Sequence, residues 1–83
     1  MIEEKIKKFR KIIIYRSTHT GTKESDLLFN KIIVENIEKL DFNELKELQS
    51  LFDHFSDSEI FSMIINNKYI ESRIEKIFKK LNS

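Results

Sequence analysis

The chain has 83 residues, which is the length of a single domain. It has no cysteine, which excludes disulfides, thiolate metal sites and a cysteine nucleophile, and which suits a reducing compartment such as the cytoplasm. Fifteen basic and fourteen acidic residues give a net charge of +1, so the balance gives no electrostatic reason to expect nucleic acid or an anionic membrane as the partner.

No segment has the character of a leader or a membrane span. The longest apolar run near the N-terminus is Ile12 to Tyr15, which is too short for the core of a signal peptide. A membrane-spanning helix needs about 20 consecutive apolar residues. We therefore expect a soluble, cytoplasmic protein that does not engage a membrane.

The first half of the chain predicts two helices. Proline is absent and glycine occurs once, at Gly21, so the composition favours helices over strands and tight turns. Apolar residues step by four, three and four over about 3–17, which predicts a first helix. A wider apolar stripe over about 22–38 predicts a second helix, placed centrally and contacted on several sides.

The second half predicts three more helices. Asp41 followed by Glu44, and Ser56 followed by Glu59, are capping boxes that mark helix starts. They predict helices over about 42–53 and 57–66. A last stripe, made by Ile70, Ile74, Ile77 and Leu81, predicts a helix over about 68–81.

These elements predict an all-α fold, a compact bundle of five short helices forming one domain over residues 1–83. Short connections between sequential helices favour packing of neighbours along the chain.

The polar residues around the only glycine form the candidate binding site. Gly21 permits a backbone turn that other residues avoid, and it lets a partner approach the main chain closely. Glu24 lies in the first turn of the second helix, where the free amides stabilise its charge. With Arg16, His19 and Lys23 it predicts an exposed polar patch for another protein. In the alternative interpretation, Gly21 only separates two helices and Glu24 only caps one.

The sequence predicts neither a catalytic nor a metal site. His19 would need an orienting partner for catalysis, or two or three further ligands for a metal, and His54 is far along the chain with no HxxxH or HExxH spacing. Glu24 and Asp26 are two positions apart, so on a helix they do not form an acid–base pair. We expect Asp26 to have a structural role, facing inward or toward the first helix and pairing with Arg16 or Arg10.

The segment from Ile14 to Leu28 resembles the signature of the succinate dehydrogenase assembly factor family. That signature has an Arg-Gly pair, a Glu three residues after the Gly, an Asp two further on, and then leucines. The residues that match are Gly21, Glu24, Asp26, Leu27 and Leu28, preceded by Tyr15, Arg16, Ser17 and His19. Length and helix order agree over nearly the whole chain.

A second, weaker match lies at the start of the predicted fourth helix, where Asp57 to Phe61 resembles the family's Asp-Pro-Asp-Leu-Phe. Two positions depart from the pattern: Thr20 stands where the family has the arginine, and Met63 where it has a tryptophan.

The resemblance implies a non-enzymatic assembly factor. Its partner would be the flavoprotein subunit of succinate dehydrogenase, or in some bacteria that of fumarate reductase, and it would promote covalent attachment of FAD to a histidine of that subunit. The FAD would belong to the partner and would not be held tightly by this chain. The implied contact residues are Arg16, His19, Thr20, Gly21, Lys23 and Glu24, and we expect a monomer.

Two other functions remain open at this point. The chain could be a different small helical adaptor, antitoxin-like or regulatory. It could also bind nucleic acid through the basic first helix, which predicts an affinity that falls steeply with salt, although Glu3 and Glu4 dilute that charge.

Overall fold

The computed structural model of the protein describes residues 2–83, in which six helical segments follow one another. They are α1 (Ile2–Thr18), α2 (Lys23–Ile32), a 3-10 helix (Val34–Lys39), α3 (Phe42–His54), α4 (Asp57–Asn66) and α5 (Ser72–Asn82). This part of the chain has no β-strand. The predicted all-α fold with five α-helices is confirmed.

The first and third helices lie side by side and run in the same direction. The rings of Phe9, in the middle of α1, and Phe42, at the start of α3, meet edge to face with centroids 5.5 Å apart. Near their ends Arg16 forms an ion pair with Asp53. The last turns of α1 and α3 therefore lie at the same end of the molecule, and α2 and α4 begin close to that end.

The last helix packs against α3 in the opposite direction. Arg73, at its start, pairs with Glu47 at 3.1 Å, and Lys80, near its end, pairs with the earlier Glu44 at 2.7 Å. A stacked pair, Tyr69 on Phe78 with centroids 5.0 Å apart, fixes the segment that leads into α5.

The core is one cluster of apolar side chains to which every helical segment contributes. Phe29 of α2 and Phe52 of α3 meet edge to face at 5.9 Å, and both are buried. The other large side chains with almost no exposed surface are Ile13, Ile33, Leu45, Leu48, Ile60, Phe78 and Leu81.

Both predicted capping boxes are present. The Asp41 carboxylate accepts from the Glu44 amide at 2.8 Å, and the Glu44 carboxylate accepts from the Asp41 amide at 2.9 Å. The Ser56 hydroxyl accepts from the Glu59 amide at 3.2 Å, and the Glu59 carboxylate accepts from the Ser56 amide at 2.9 Å. Each pair satisfies two amides that have no acceptor within the helix, which is why α3 and α4 begin where the sequence indicates.

The prediction of one helix over 22–38 is wrong, because α2 ends at Ile32 and a 3-10 helix follows. The Asn36 amide group donates to the carbonyls of Lys31 and Ile32, both at 3.1 Å. These carbonyls belong to the last turn of α2, and a side chain that satisfies them competes with continuation of the helix.

The predicted start of the last helix at residue 68 is also wrong, since α5 begins at Ser72. Asn67 has a left-handed backbone (φ 53°), and the Lys68 amide donates back to the Met63 carbonyl at 3.1 Å. This left-handed ending terminates α4 and turns the chain away before α5. Ile70, which the apolar stripe included, lies in the connection and is exposed.

Candidate docking corner

The turn between α1 and α2 presents an open stretch of main chain. Gly21 has a φ of +91°, a backbone conformation that residues with a side chain rarely adopt. No atom lies within 4 Å of the position that a Cβ would occupy. The glycine is therefore required by backbone conformation rather than by crowding. We call residues 19–24 the Gly21 corner.

The α2 side of the corner is fixed by two polar groups. The Thr22 hydroxyl accepts from the Ser25 amide at 3.2 Å and caps the helix. The Asp26 carboxylate accepts from the Thr20 amide at 2.9 Å and from the Thr20 hydroxyl at 2.6 Å. These bonds from the Thr20 hydroxyl and amide hold the pKa of Asp26 below its ordinary value.

Asp26 therefore bonds to a residue of the corner, Thr20, which is not one of the predicted partners. The expected pairing with Arg16 or Arg10 is wrong, because the carboxylate reaches only six residues back, to Thr20. The Thr20 hydroxyl, at the position where the resemblance implies a contact residue, is directed into this intramolecular pair.

The α1 side is fixed by Arg16. Its guanidinium donates to the Asp53 carboxylate and to the Phe52 carbonyl, and its Cζ lies 5.5 Å from the centroid of the Phe52 ring. The sequence predicts Arg16 in an exposed polar patch; in the structure the side chain is bound to α3 and remains 35% exposed.

His19 lies at the exposed edge of the corner, stacked on a tyrosine. The rings of Tyr15 and His19 are 4.1 Å apart and 16° from parallel. The His19 Nδ1–H donates to the Tyr15 carbonyl at 2.9 Å, which also places the ring over the C-terminal end of α1. Tyr15 is 63% exposed, so the pair presents a flat, ordered aromatic surface.

Lys23 and Glu24 are exposed in the first turn of α2. Neither side chain has a hydrogen-bond or ion-pair partner among residues 2–83. Leu27 follows on the same side, four residues after Lys23, and is 62% exposed. A carboxylate, an ammonium group and an exposed leucine therefore border the open main chain at Gly21.

Three residues of this region, Tyr15, Leu27 and Asp53, are not among the contact residues that the sequence predicts. Tyr15 lies about 200° around the helix from the buried Ile13, so the helical period itself places it outside. Leu27 falls within the apolar stripe predicted over 22–38, although it lies two positions from the buried Ser25 and from the buried Phe29. Asp53 gave no signal, because its partner is 37 residues away.

The two histidines do not converge on a reactive group. His54 repeats the arrangement of His19, since its Nδ1–H donates to the Ser50 carbonyl at 2.8 Å. Among residues 2–83 no group of three histidine, aspartate or glutamate side chains is placed to hold a metal. In the same range no helix has the length and apolar content that a membrane span requires.

Comparison with known proteins agrees with these features. A family profile described as "Flavinator of succinate dehydrogenase" matches residues 11–83. The mitochondrial succinate dehydrogenase assembly factor 2 of Dictyostelium discoideum is 32% identical over 76 residues, which are 92% of this chain and 53% of that protein. The chain thus spans about half the length of this curated relative. No solved structure matches.

The residues that the structure describes thus form a helical bundle that exposes a glycine turn beside an unpaired carboxylate. This chain belongs to the family of succinate dehydrogenase flavinators, whose profile covers the corner and every helix from the second half of α1 onwards. The relative is named as an assembly factor, which agrees with the prediction that the chain is not itself an enzyme.

Proposed function

We propose that this chain binds the flavoprotein subunit of succinate dehydrogenase through the Gly21 corner and promotes covalent attachment of FAD to it. Family membership supports the target. The observation that carries the proposal is the open main chain at Gly21, with no atom within 4 Å of a potential Cβ, next to the unpaired and exposed Glu24.

The corner has the composition of a small interface. Tyr15, stacked on His19, and Leu27 supply apolar contact area, and aromatic residues often dominate binding energy. Lys23 and Glu24 supply charges that fix orientation. Because the Tyr15–His19 stack and the Asp26–Thr20 bonds already order the surface, less conformational entropy is lost on binding.

The covalent step then belongs to the flavin and to a histidine of the target. This chain would act by stabilising the conformation of the flavoprotein in which those two groups meet in a reactive orientation. We propose that it holds no FAD tightly itself. Two grooves, one lined by residues such as Leu51, His54 and Ile70 and one beside α4, have volumes of only about 300 and 320 Å³, at the lower limit for a drug-sized ligand.

The test is covalent flavin, measured by fluorescence of the denatured flavoprotein after incubation with FAD and this chain. Glu24→Gln keeps the size of the side chain and removes its charge, and should lower covalent flavin strongly. Gly21→Asn adds a side chain at the contact while tolerating positive φ, and should do the same. Glu38→Gln, which removes an exposed carboxylate on the 3-10 helix, is the matched control.

Circular dichroism of each variant separates lost binding from lost folding. Flavinylation at the wild-type rate by both corner variants would place the interface elsewhere. Running the assay with the flavoproteins of succinate dehydrogenase and of fumarate reductase decides which of the two is the target. If a pull-down with this chain recovers neither flavoprotein, a different adaptor role is favoured.

We also propose that the chain acts as a monomer in the cytoplasm. Light scattering and cell fractionation test these two points. The relative from Dictyostelium is named as mitochondrial, so a location in an organelle is the outcome that would contradict the second.

A further inference from the structure

Arg16 satisfies the end of a helix to which it does not belong. The Phe52 carbonyl lies in the last turn of α3, where carbonyls have no amide partner within the helix. The Arg16 guanidinium donates to this carbonyl and to the carboxylate of Asp53, the next residue. A cation is also favoured there by the helix dipole.

The same side chain reaches the aromatic centre of the core. Its guanidinium lies over the Phe52 ring, and the Phe52 ring packs edge-on against Phe29 of α2. Arg16 therefore connects the last turn of α1 with the last turn of α3, and through Phe52 it is linked to α2. Of these helices, α1 and α2 flank the Gly21 corner.

The corner is consequently held on both sides. On the α2 side the Asp26 carboxylate holds Thr20. On the α1 side Arg16 fixes the last helical turn before His19. The exposed fraction of its side chain is 35%, and its donors are directed at α3 rather than at the solvent side of the corner.

We propose that Arg16 is a positioning residue for flavoprotein docking, which acts through Asp53 and Phe52 and does not contact the partner. The inference rests on the proposed docking at the Gly21 corner. Without the ion pair the end of α1 is free to move. Binding must then order the main chain at Gly21 and the Tyr15–His19 stack, and this loss of conformational entropy weakens the affinity.

Asp53→Asn distinguishes positioning from direct contact because the two roles predict opposite results. If Arg16 contacts the flavoprotein, removing the Asp53 charge releases the guanidinium, and the Kd stays the same or falls. If Arg16 positions the corner, Asp53→Asn raises the Kd about tenfold, equivalent to about 1.4 kcal/mol. The Kd is measured by calorimetry with the flavoprotein subunit.

A conservative variant and a charge-matched variant complete the design. Asp53→Glu keeps the carboxylate and should restore most of the affinity, which a general loss of stability would not allow. Glu38→Gln removes the same charge from an exposed position outside residues 19–24 and should leave the Kd unchanged. An unchanged Kd in Asp53→Asn, with wild-type protein binding normally, overturns the inference.

A measurement on the free protein separates this inference from the proposed function. NMR order parameters of the amides at His19, Thr20 and Gly21 should fall in Asp53→Asn and recover in Asp53→Glu. If the wild-type chain fails to bind the flavoprotein, the proposed function fails while this readout still tests the role of Arg16. Order parameters that match the wild type would contradict the positioning role.

Discussion

At the level of single residues, the shape of the docking corner depends on one carboxylate. Asp26 accepts two hydrogen bonds from Thr20, and Thr20 directly precedes the glycine whose positive φ turns the chain. The turn is thus held by hydrogen bonds between two residues that lie six positions apart, Thr20 and Asp26. Its strength depends on the Asp26 side chain being ionised.

The pH dependence of stability should report this contact. The folded-state pKa of Asp26 is lowered, so its contribution is present above the unfolded pKa and is lost as pH falls through the folded value. Asp26→Asn should lower stability at neutral pH and reduce the loss of stability below about pH 4. Urea midpoints followed by circular dichroism measure both effects.

Glu38→Gln is the control, since it removes an exposed carboxylate that has no hydrogen bond among residues 2–83. A pH profile for Asp26→Asn that runs parallel to that of the wild type would show that the contact contributes nothing to folding.

The sequence indicates the location of the corner but not its internal bonding. A lone glycine followed by Glu24 is a local pattern, so it is visible in the chain. The partners of Arg16 depend on how α1 packs against α3, and 37 residues separate Arg16 from Asp53. The partner of Asp26 also depends on the fold, because the conformation of the turn at Gly21 brings Thr20, and not the predicted Arg16 or Arg10, to the carboxylate.

At the level of helices, the capping boxes set the boundaries of α3 and α4. Asp41→Ala and Ser56→Ala each remove an acceptor from the first turn of a helix. Each should lower the free energy of unfolding by about 0.5–2 kcal/mol. Urea denaturation checks this.

Ser62→Ala is the comparison within α4, because Ser62 is exposed in the interior of the same helix and alanine is the better helix former. A Ser56→Ala protein as stable as Ser62→Ala would mean that the cap does not limit the helix.

Helix boundaries were predictable where the signal is local and missed where a side chain competes with the helix. The starts at Phe42 and Asp57 follow from capping boxes that lie within four residues. The early end of α2 depends on Asn36 reaching back to two carbonyls, and an asparagine gives no sequence signal for which carbonyl it will take. The apolar period alone predicts helix through the end of α2 and through residues 68–71, where the structure has none.

At the level of the whole molecule, the small core leaves little reserve of stability. A chain of this size buries a smaller fraction of its unfolded surface than a larger domain does, and native proteins of any size are only marginally stable. The Phe29–Phe52 contact joins α2 to α3 at the centre of the core.

Phe29→Ala should therefore cost about 3–5 kcal/mol, by removing buried surface and leaving a cavity. We expect this variant to be largely unfolded at physiological temperature by circular dichroism. Leu27→Ala, two residues away on the exposed side of the same helix, should change stability by less than about 0.5 kcal/mol. Equal effects of the two would contradict the burial pattern.

The parallel packing of α1 and α3 also governs when the binding surface comes into existence during synthesis. The glycine turn leaves the ribosome early, but the carbonyl and carboxylate that hold the end of α1 belong to residues 52 and 53. A nascent chain that ends before residue 52 contains residues 19–24 but lacks the contacts that hold the end of α1 beside them. If the chain docks through this corner as proposed, the flavoprotein should bind only chains in which the third helix has been completed.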